Sequence, residues 1–159
     1  MDLDVCVDSD WAGSTDRKST SGGMACINGA VIKHWSRTQK SRALSSGEAE
    51  YYAIVTGSAE GLGVQSLAID LGWSFRVIVH TDSSTAKSVA GRRGLGKMRH
   101  VELNYLWVQE AVSKGRIRIE KIPGYHNQAG ILAKPKERRE LGRLLAKVSA
   151  YYKASKSPQ

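Results

Sequence analysis

Asn28-Gly29 joins two apolar runs, 22–28 (GGMACIN) and 31–36 (VIKHWS), and this pair sets the first constraint on the fold. Both residues tolerate the positive φ of a tight hairpin turn, so the runs are predicted to pair as antiparallel strands. Upstream, residues 2–7 alternate weakly and end at Asp8, which gives a further strand. A polar loop, 14–21, lies between. Downstream, the spacing predicts a helix over 46–71. Ser45 is a good N-cap, and Glu48 three positions later completes a capping box. Ile54, Val55, Leu62 and Ile69 are expected on its buried face. Gly57, Gly61 and Gly63 each weaken this helix by about 1 kcal/mol relative to Ala and mark either close packing or a bend.

Gly72 stops that helix. Residues 75–81 (FRVIVHT) form an apolar strand ending at Asp82, and Ser83 or Ser84 caps a short helix over 84–90. A glycine-punctuated basic loop spans 91–100. A helix follows from about 101 to 113 and ends at Lys114-Gly115. In 116–122, Ile117 and Ile119 face inward and Arg116 and Arg118 outward, as in a strand. A loop, 123–135, leads to a last helix striped by Leu141, Leu144, Leu145 and Val148. The order predicts an α/β fold: a mixed sheet with an antiparallel start and helical crossovers. One domain over 1–150 and a disordered tail over 151–159 are expected.

Lysine and arginine number 24 against 15 acids, a net charge of +9. Such a surplus favours a polyanionic partner, nucleic acid first, with plain solubility as the alternative. No apolar run reaches the roughly 18 residues needed to span a bilayer, so no membrane partner is expected. The N-terminus lacks the basic start of a signal peptide and reads as a strand cut close to its beginning. Cys6 and Cys26 are too few for a disulfide framework and are expected as buried free thiols. That fits a reducing intracellular compartment, the cytoplasm or the nucleus. Trp35, Tyr51, Trp73, Tyr105 and Trp107 are expected in the core or at sheet edges rather than as base-stacking platforms.

Three acids stand out by position. Asp8 closes the first strand, Glu50 lies in the first turn of the long helix, and Asp82 closes the fourth strand. From there they can converge at one end of a sheet, and a carboxylate-only site suits Mg²⁺ or Mn²⁺. Two such ions can drive in-line phosphodiester cleavage. Each acid also has a plain structural reading. Asp8 and Asp10 can end a strand in a turn, Glu48 and Glu50 can serve a helix N-terminus, and Asp82 can cap a helix.

The local sequences add to this. Asp8-Ser9-Asp10-Trp11-Ala12-Gly13-Ser14 with Asp16-Arg17-Lys18-Ser19-Thr20-Ser21-Gly22, Ala43-Leu44-Ser45-Ser46-Gly47-Glu48-Ala49-Glu50-Tyr51, His80-Thr81-Asp82-Ser83-Ser84-Thr85-Ala86, and Arg99-His100-Val101-Glu102-Leu103 resemble motifs of copia-like retrotransposon ribonuclease H domains. The resemblance runs from about residue 4 to residue 145. It implies a type 1 ribonuclease H fold, a five-stranded mixed sheet flanked by helices. It also implies cleavage of the RNA strand of an RNA–DNA hybrid, with two Mg²⁺ ions held by four carboxylates. No small-molecule cofactor is implied, and a reverse transcriptase domain of the same polyprotein is a further implied partner. The first three carboxylates fall on Asp8, Glu50 and Asp82. Glu50 is preferred to Glu48, which the capping box occupies, and Asp10 is left to a supporting position.

The fourth carboxylate of the family pattern falls on Gly130, in Asn127-Gln128-Ala129-Gly130-Ile131-Leu132-Ala133-Lys134-Pro135. Glycine supplies no ligand oxygen. Glu137 lies about two helical turns further on, roughly 10 Å along an ideal axis, too far to substitute. The readings left open are an impaired or Mn²⁺-favouring enzyme, a catalytically inactive hybrid-binding module, and a structural remnant of a polyprotein. His126 falls where related enzymes carry a loop histidine assisting proton transfer or product release, or it is an idle surface histidine. His34 and His80 are expected to be structural, with His80 close enough to Asp82 to approach the site. For the hybrid, Ser9, Ser14 and Thr15 are candidates to read 2′-hydroxyls. Lys18, Arg92, Arg93, Lys97 and Arg99, extended by Lys40 and Arg42, are candidates to bind phosphates; a solvated surface without a partner is the alternative.

Overall fold

The computed structural model describes residues 1–94 and 105–148. Five strands form one mixed sheet: β1 (Asp2–Asp10), β2 (Thr20–Ile27), β3 (Ala30–Thr38), β4 (Arg76–Thr81) and β5 (Ile117–Lys121). Their spatial order is β3-β2-β1-β4-β5. β1 to β3 are antiparallel neighbours, whereas β4 runs parallel to β1 and β5 parallel to β4. The hairpin turns at Asn28 and Gly29, with φ of 50° and 79°.

Helix α1 (Ser46–Asp70) covers one face of the sheet, packing on β1, β2 and β4. Leu3, Val5 and Val7 of β1 are fully buried beneath it. Two glycines let the helix come this close. A Cβ on Gly57 would overlap Val7, and one on Gly61 would lie 2.7 Å from Val77 Cγ1. Close packing, not a bend, is therefore their role; Gly63 faces open space. The expected buried face holds at Ile54 and Val55 and fails at Ile69, which is 59% exposed. Beyond Gly61 only Ala68 is buried on this helix. Trp73, in the following turn, is exposed too, so it is neither core nor edge. Trp35 and Tyr51 are buried as expected, and Tyr105 and Trp107 pack partly buried against the same core.

Helices α2 (Ser84–Ala90) and α3 (Trp107–Ser113) lie beside β5, and Ser83, not Ser84, caps α2. The loop expected over 123–135 contains a 3₁₀ turn (Gly124–His126) and a short helix, α4 (Gly130–Ala133). α4 covers β1 and β2, and a Cβ on Gly22 would lie 2.5 Å from Ala133 N. Gly22 thus provides the depression that seats α4. In α5 (Arg138–Val148) Leu144 is buried, but Leu141 and Leu145 are exposed, so the expected stripe is only partly covered. Cys6 and Cys26 are free thiols, and burial pushes Cys6 up to about 12. Among the described residues no helix is long and apolar enough to cross a membrane. Lys97, Arg99, the 99–103 motif and the 151–159 tail lie outside the described residues.

Candidate metal and nucleic-acid site

Asp8 is not the last residue of its strand; β1 continues to Asp10 because β2 pairs with it as far as Thr20. Asp8 and Gly22 are register partners, so they share the face that α4 covers. Parallel pairing brings β4 alongside, and Asp82 follows directly after Thr81. α1 begins over the same end of the sheet. Ser45 Oγ accepts from Glu48 N at 3.2 Å, and Glu48 accepts from Leu44 N and from the Tyr52 hydroxyl. Glu48 is thereby used up in fixing the helix start, and Glu50 is left to face the sheet end. The reciprocal bond of the capping box comes one residue earlier than expected, from Leu44.

The result is one cluster: Asp8, Glu50 and Asp82 each offer an oxygen, all within 4.8 Å of one another. The carboxylates stand in a poorly solvated place. Asp8 is 1% exposed. Burial, then the charges of Asp8 and Asp82, push Glu50 up to about 8. Ser9 lies close enough to favour ionised Glu50, though its hydroxyl makes no well-aligned hydrogen bond. Glu50 Oε2 is buried without a hydrogen-bond partner. Burial and Asp8 raise Asp82 above the usual carboxylate range, against the pull of Lys134 and Lys136. Three acids crowded together with an orphaned oxygen have the chemistry of a cation-binding site.

Two features of the last loop border this cluster. Asn127 is 2% exposed; its Nδ2 donates to Val7 O at 2.8 Å, and its Oδ1 accepts from Ala129 N. That side chain fastens the start of α4 to β1. Gly130 then faces Asp8, since a Cβ there would lie 3.2 Å from Asp8 Oδ2. One turn later Lys134 puts its ammonium 3.0 Å from Asp8 Oδ2 and 3.3 Å from Oδ1. Burial opposes the charge on Lys134, but Asp8, Glu50 and Asp82 together raise its pKa. The sequence reading named neither Asn127 nor Lys134 as a site residue. The signal for Lys134 emerges only with α4, whose C-cap it is, four residues after Gly130.

Other expected site residues fall into place or out of it. His126 is exposed in the 3₁₀ turn, its ring 4.3 Å from that of Tyr125 and tilted 47° to it. Gly124 of the same turn approaches Asp82: a Cβ there would lie 3.0 Å from Asp82 Oδ2. His80 does not approach the cluster; its Nε2 pairs with Asp4 at 2.8 Å. Ser9 is buried beside Glu50, so it cannot read a hydroxyl at the surface. Ser14 is engaged in its own loop, donating to Lys18 O and to Asp16, while Thr15 is exposed. Asp10 accepts from Thr20 N, a bond that ties the loop to the end of β1. Lys18 is paired with Asp16 at 3.7 Å. Arg93, Lys40 and Arg42 are exposed, whereas Arg92 is half-buried and close enough to act on Tyr51. Glu137 is exposed and no part of the cluster.

Comparison with known proteins agrees with this geometry. No family model matches the chain. The retrovirus-related Pol polyprotein from transposon TNT 1-94 of Nicotiana tabacum is 31% identical over 139 residues, covering 84% of this chain. That from transposon RE2 of Arabidopsis thaliana is 30% identical over 142 residues, covering 87%. The chain spans 10% of the length of either relative. Among solved structures, an RNase H1 isolated from compost superposes with a TM-score of 0.57 at 15% identity, over 82% of this chain and 91% of that one. The same enzyme in complex with an RNA/DNA hybrid gives 0.55 at 16% identity, over 82% and 92%. A foamy virus protease–reverse transcriptase gives 0.52 at 15% identity, over 91% of this chain and 20% of that one. The chain therefore belongs with the copia-like retrotransposon Pol polyproteins, matching a segment of about a tenth of their length, and this segment has the ribonuclease H-like fold.

Proposed function

We propose that this chain is a divalent-metal-dependent nuclease of the ribonuclease H type, acting on the RNA strand of RNA–DNA hybrids, with its activity reduced by glycine at position 130. The observation that carries the reading is the convergence of Asp8, Glu50 and Asp82 within 4.8 Å at one end of the sheet. The donor set is all-oxygen and anionic, and the orphaned Glu50 Oε2 lacks the partner that a cation would supply. These residues fit a hard dication, Mg²⁺ or Mn²⁺. Bound there, such an ion supplies Lewis-acid polarisation of the scissile phosphate and an acidified water.

The protein's own groups have separate tasks in this reading. Asp8 on β1 and Asp82 just past the end of β4, with Glu50 from α1, hold the cation against a rigid sheet end. Lys136, close to Gly130, is paired with Glu140 at 2.8 Å, so its charge beside the cluster is already partly neutralised. Arg92 and Arg93 bind the DNA strand, and Thr15 contacts the RNA strand. His126, on the exposed turn beside Asp82, carries a proton at a ring nitrogen as product leaves. The net charge of +9 favours the polyanion. A polymerase domain of the same polyprotein is the proposed neighbour, since the chain matches only a tenth of its relatives' length. The proposed setting is a reducing compartment where the two thiols stay free.

One alternative has its own support: a hybrid-binding module without catalysis. Gly130 offers no fourth carboxylate, and Lys134 already pairs with Asp8. Cleavage of a labelled RNA–DNA hybrid in Mg²⁺ and in Mn²⁺, for this chain and its Gly130→Asp variant, separates the two. A Cβ at 130 starts 3.2 Å from Asp8 Oδ2, so an aspartate there reaches the cluster. Cleavage by both proteins, faster in the variant, supports the reduced nuclease. Cleavage by the variant alone supports the binding module on an intact scaffold. No cleavage by either folded protein defeats the nuclease assignment.

A further inference from the structure

The ammonium of Lys134 reaches both oxygens of Asp8, at 3.0 and 3.3 Å. A carboxylate 1% exposed needs a counter-charge, and no other Lys or Arg is shown pairing with it among the described residues. The tether is well anchored. Lys134 ends α4, with its backbone N–H donating to Gly130 O at 3.3 Å, and Asn127 fixes the start of α4 to β1 through Val7 O. Gly130 itself puts no side chain over Asp8: a Cβ there would lie 3.2 Å from Asp8 Oδ2 and 3.2 Å from Lys136 Cε, and Lys134, not Lys136, makes the ion pair with Asp8. The Lys134 side chain is itself 37% exposed, so a path outward to solvent is open to it.

We propose that Lys134 is a resident monovalent cation at the acidic cluster, competing with a divalent ion for Asp8 and setting the affinity of the site for metal. This rests on the reading that Asp8, Glu50 and Asp82 hold a divalent cation. A metal entering at Asp8 must displace the ammonium or share the carboxylate with it. Displacement costs the Lys134–Asp8 pair, and sharing places like charges a few ångströms apart. Either way Lys134 weakens metal binding. It acts as a specificity-determining residue that favours a cation able to compete with an ammonium.

The test measures Mn²⁺ and Mg²⁺ binding to the full chain by titration calorimetry, with Mn²⁺ paramagnetic resonance as a second readout. The variants are Lys134→Met, which keeps the length and removes the charge, and Lys114→Met as a remote control of equal charge change. Lys114 pairs with Glu110 on α3, away from the cluster. Lys134→Met is expected to bind Mn²⁺ on the order of tenfold more tightly than the unaltered chain, with Lys114→Met unchanged. Equal affinities for all three proteins overturn the proposal, as does weaker binding by Lys134→Met or an equal gain in the control. Should Lys134→Met fail to fold, nitrogen-detected NMR of the unaltered chain decides. The Lys134 Nζ signal must move as Mn²⁺ or its diamagnetic substitute Mg²⁺ is added, and an unmoved signal with metal bound overturns the competition. If neither the unaltered chain nor folded Lys134→Met binds metal, the metal-site reading itself falls, an outcome distinct from equal affinities.

Discussion

Replacing Glu50 by glutamine should stabilise the fold, and by an amount that depends on pH. An unfolded glutamate ionises near 4.5, whereas burial and the charges of Asp8 and Asp82 hold the folded Glu50 up to about 8. Between those limits the folded chain keeps a proton that the unfolded chain has lost. Unfolding then releases a proton, so this group makes stability fall as pH rises from 4.5 to 8. The window spans about 3.5 pH units at about 1.4 kcal/mol each, which amounts to about 5 kcal/mol by pH 8. Glutamine fills nearly the same volume and cannot ionise. The variant should match the parent near pH 4.5 and exceed it increasingly towards pH 8. There, for a domain of this size, the gain corresponds to a midpoint about 10 °C higher. The assay is thermal and urea unfolding at pH 5, 6.5 and 8 in the presence of a chelator. Parallel stability–pH curves for the two proteins would refute the account of the acidic cluster. A variant less stable than the parent at pH 8 would do the same.

Two further outcomes follow from packing and charge. Gly57→Ala should destabilise by about 1–3 kcal/mol, because its methyl overlaps Val7, while Gly63→Ala should stabilise by up to about 1 kcal/mol; opposite shifts in the urea midpoint check the pair. Hybrid affinity should fall steeply with salt, and Arg93→Ala should flatten the log–log slope by somewhat less than one, read by fluorescence anisotropy at several salt concentrations; an unchanged slope would remove Arg93 from the phosphate track.

Much of this architecture was legible because its signals are local. The Asn28-Gly29 turn needs only two residues, and the Ser45 cap only four. The alternation at Ile117 and Ile119 is equally self-contained. The three acids could be placed at one sheet end because strand ends and a helix start are local features too. What escaped were properties set at long range. Ile69 was expected on the buried face of α1, yet its neighbour Ala68 takes that place and Ile69 is exposed. Gly57 and Gly61 look like weak points in a helix until Val7 and Val77 are seen against them. Ser9 reads as a polar loop residue, yet β1 extends two residues past Asp8 and turns Ser9 inward. Lys134 gave no cue until α4 appeared within a stretch that looks like plain loop. Its partner lies 126 positions earlier in the chain.

The Asn127–Val7 bond closes a span of 120 residues, and that has a consequence for how the domain comes into being. Contacts so distant in sequence are the slowest to be reached by a folding chain. Emerging in order from a ribosome, this protein would present Asp8, Glu50 and Asp82 long before Asn127 and Lys134 exist to brace and neutralise them. The sheet and α1 can consolidate in that interval, but the acidic pocket stays electrostatically frustrated until the segment after β5 has been made. Completion of the site is thus timed to synthesis of the segment after β5, and a ribosome stalled before Lys134 would hold a nearly finished scaffold with its most charged cleft still open.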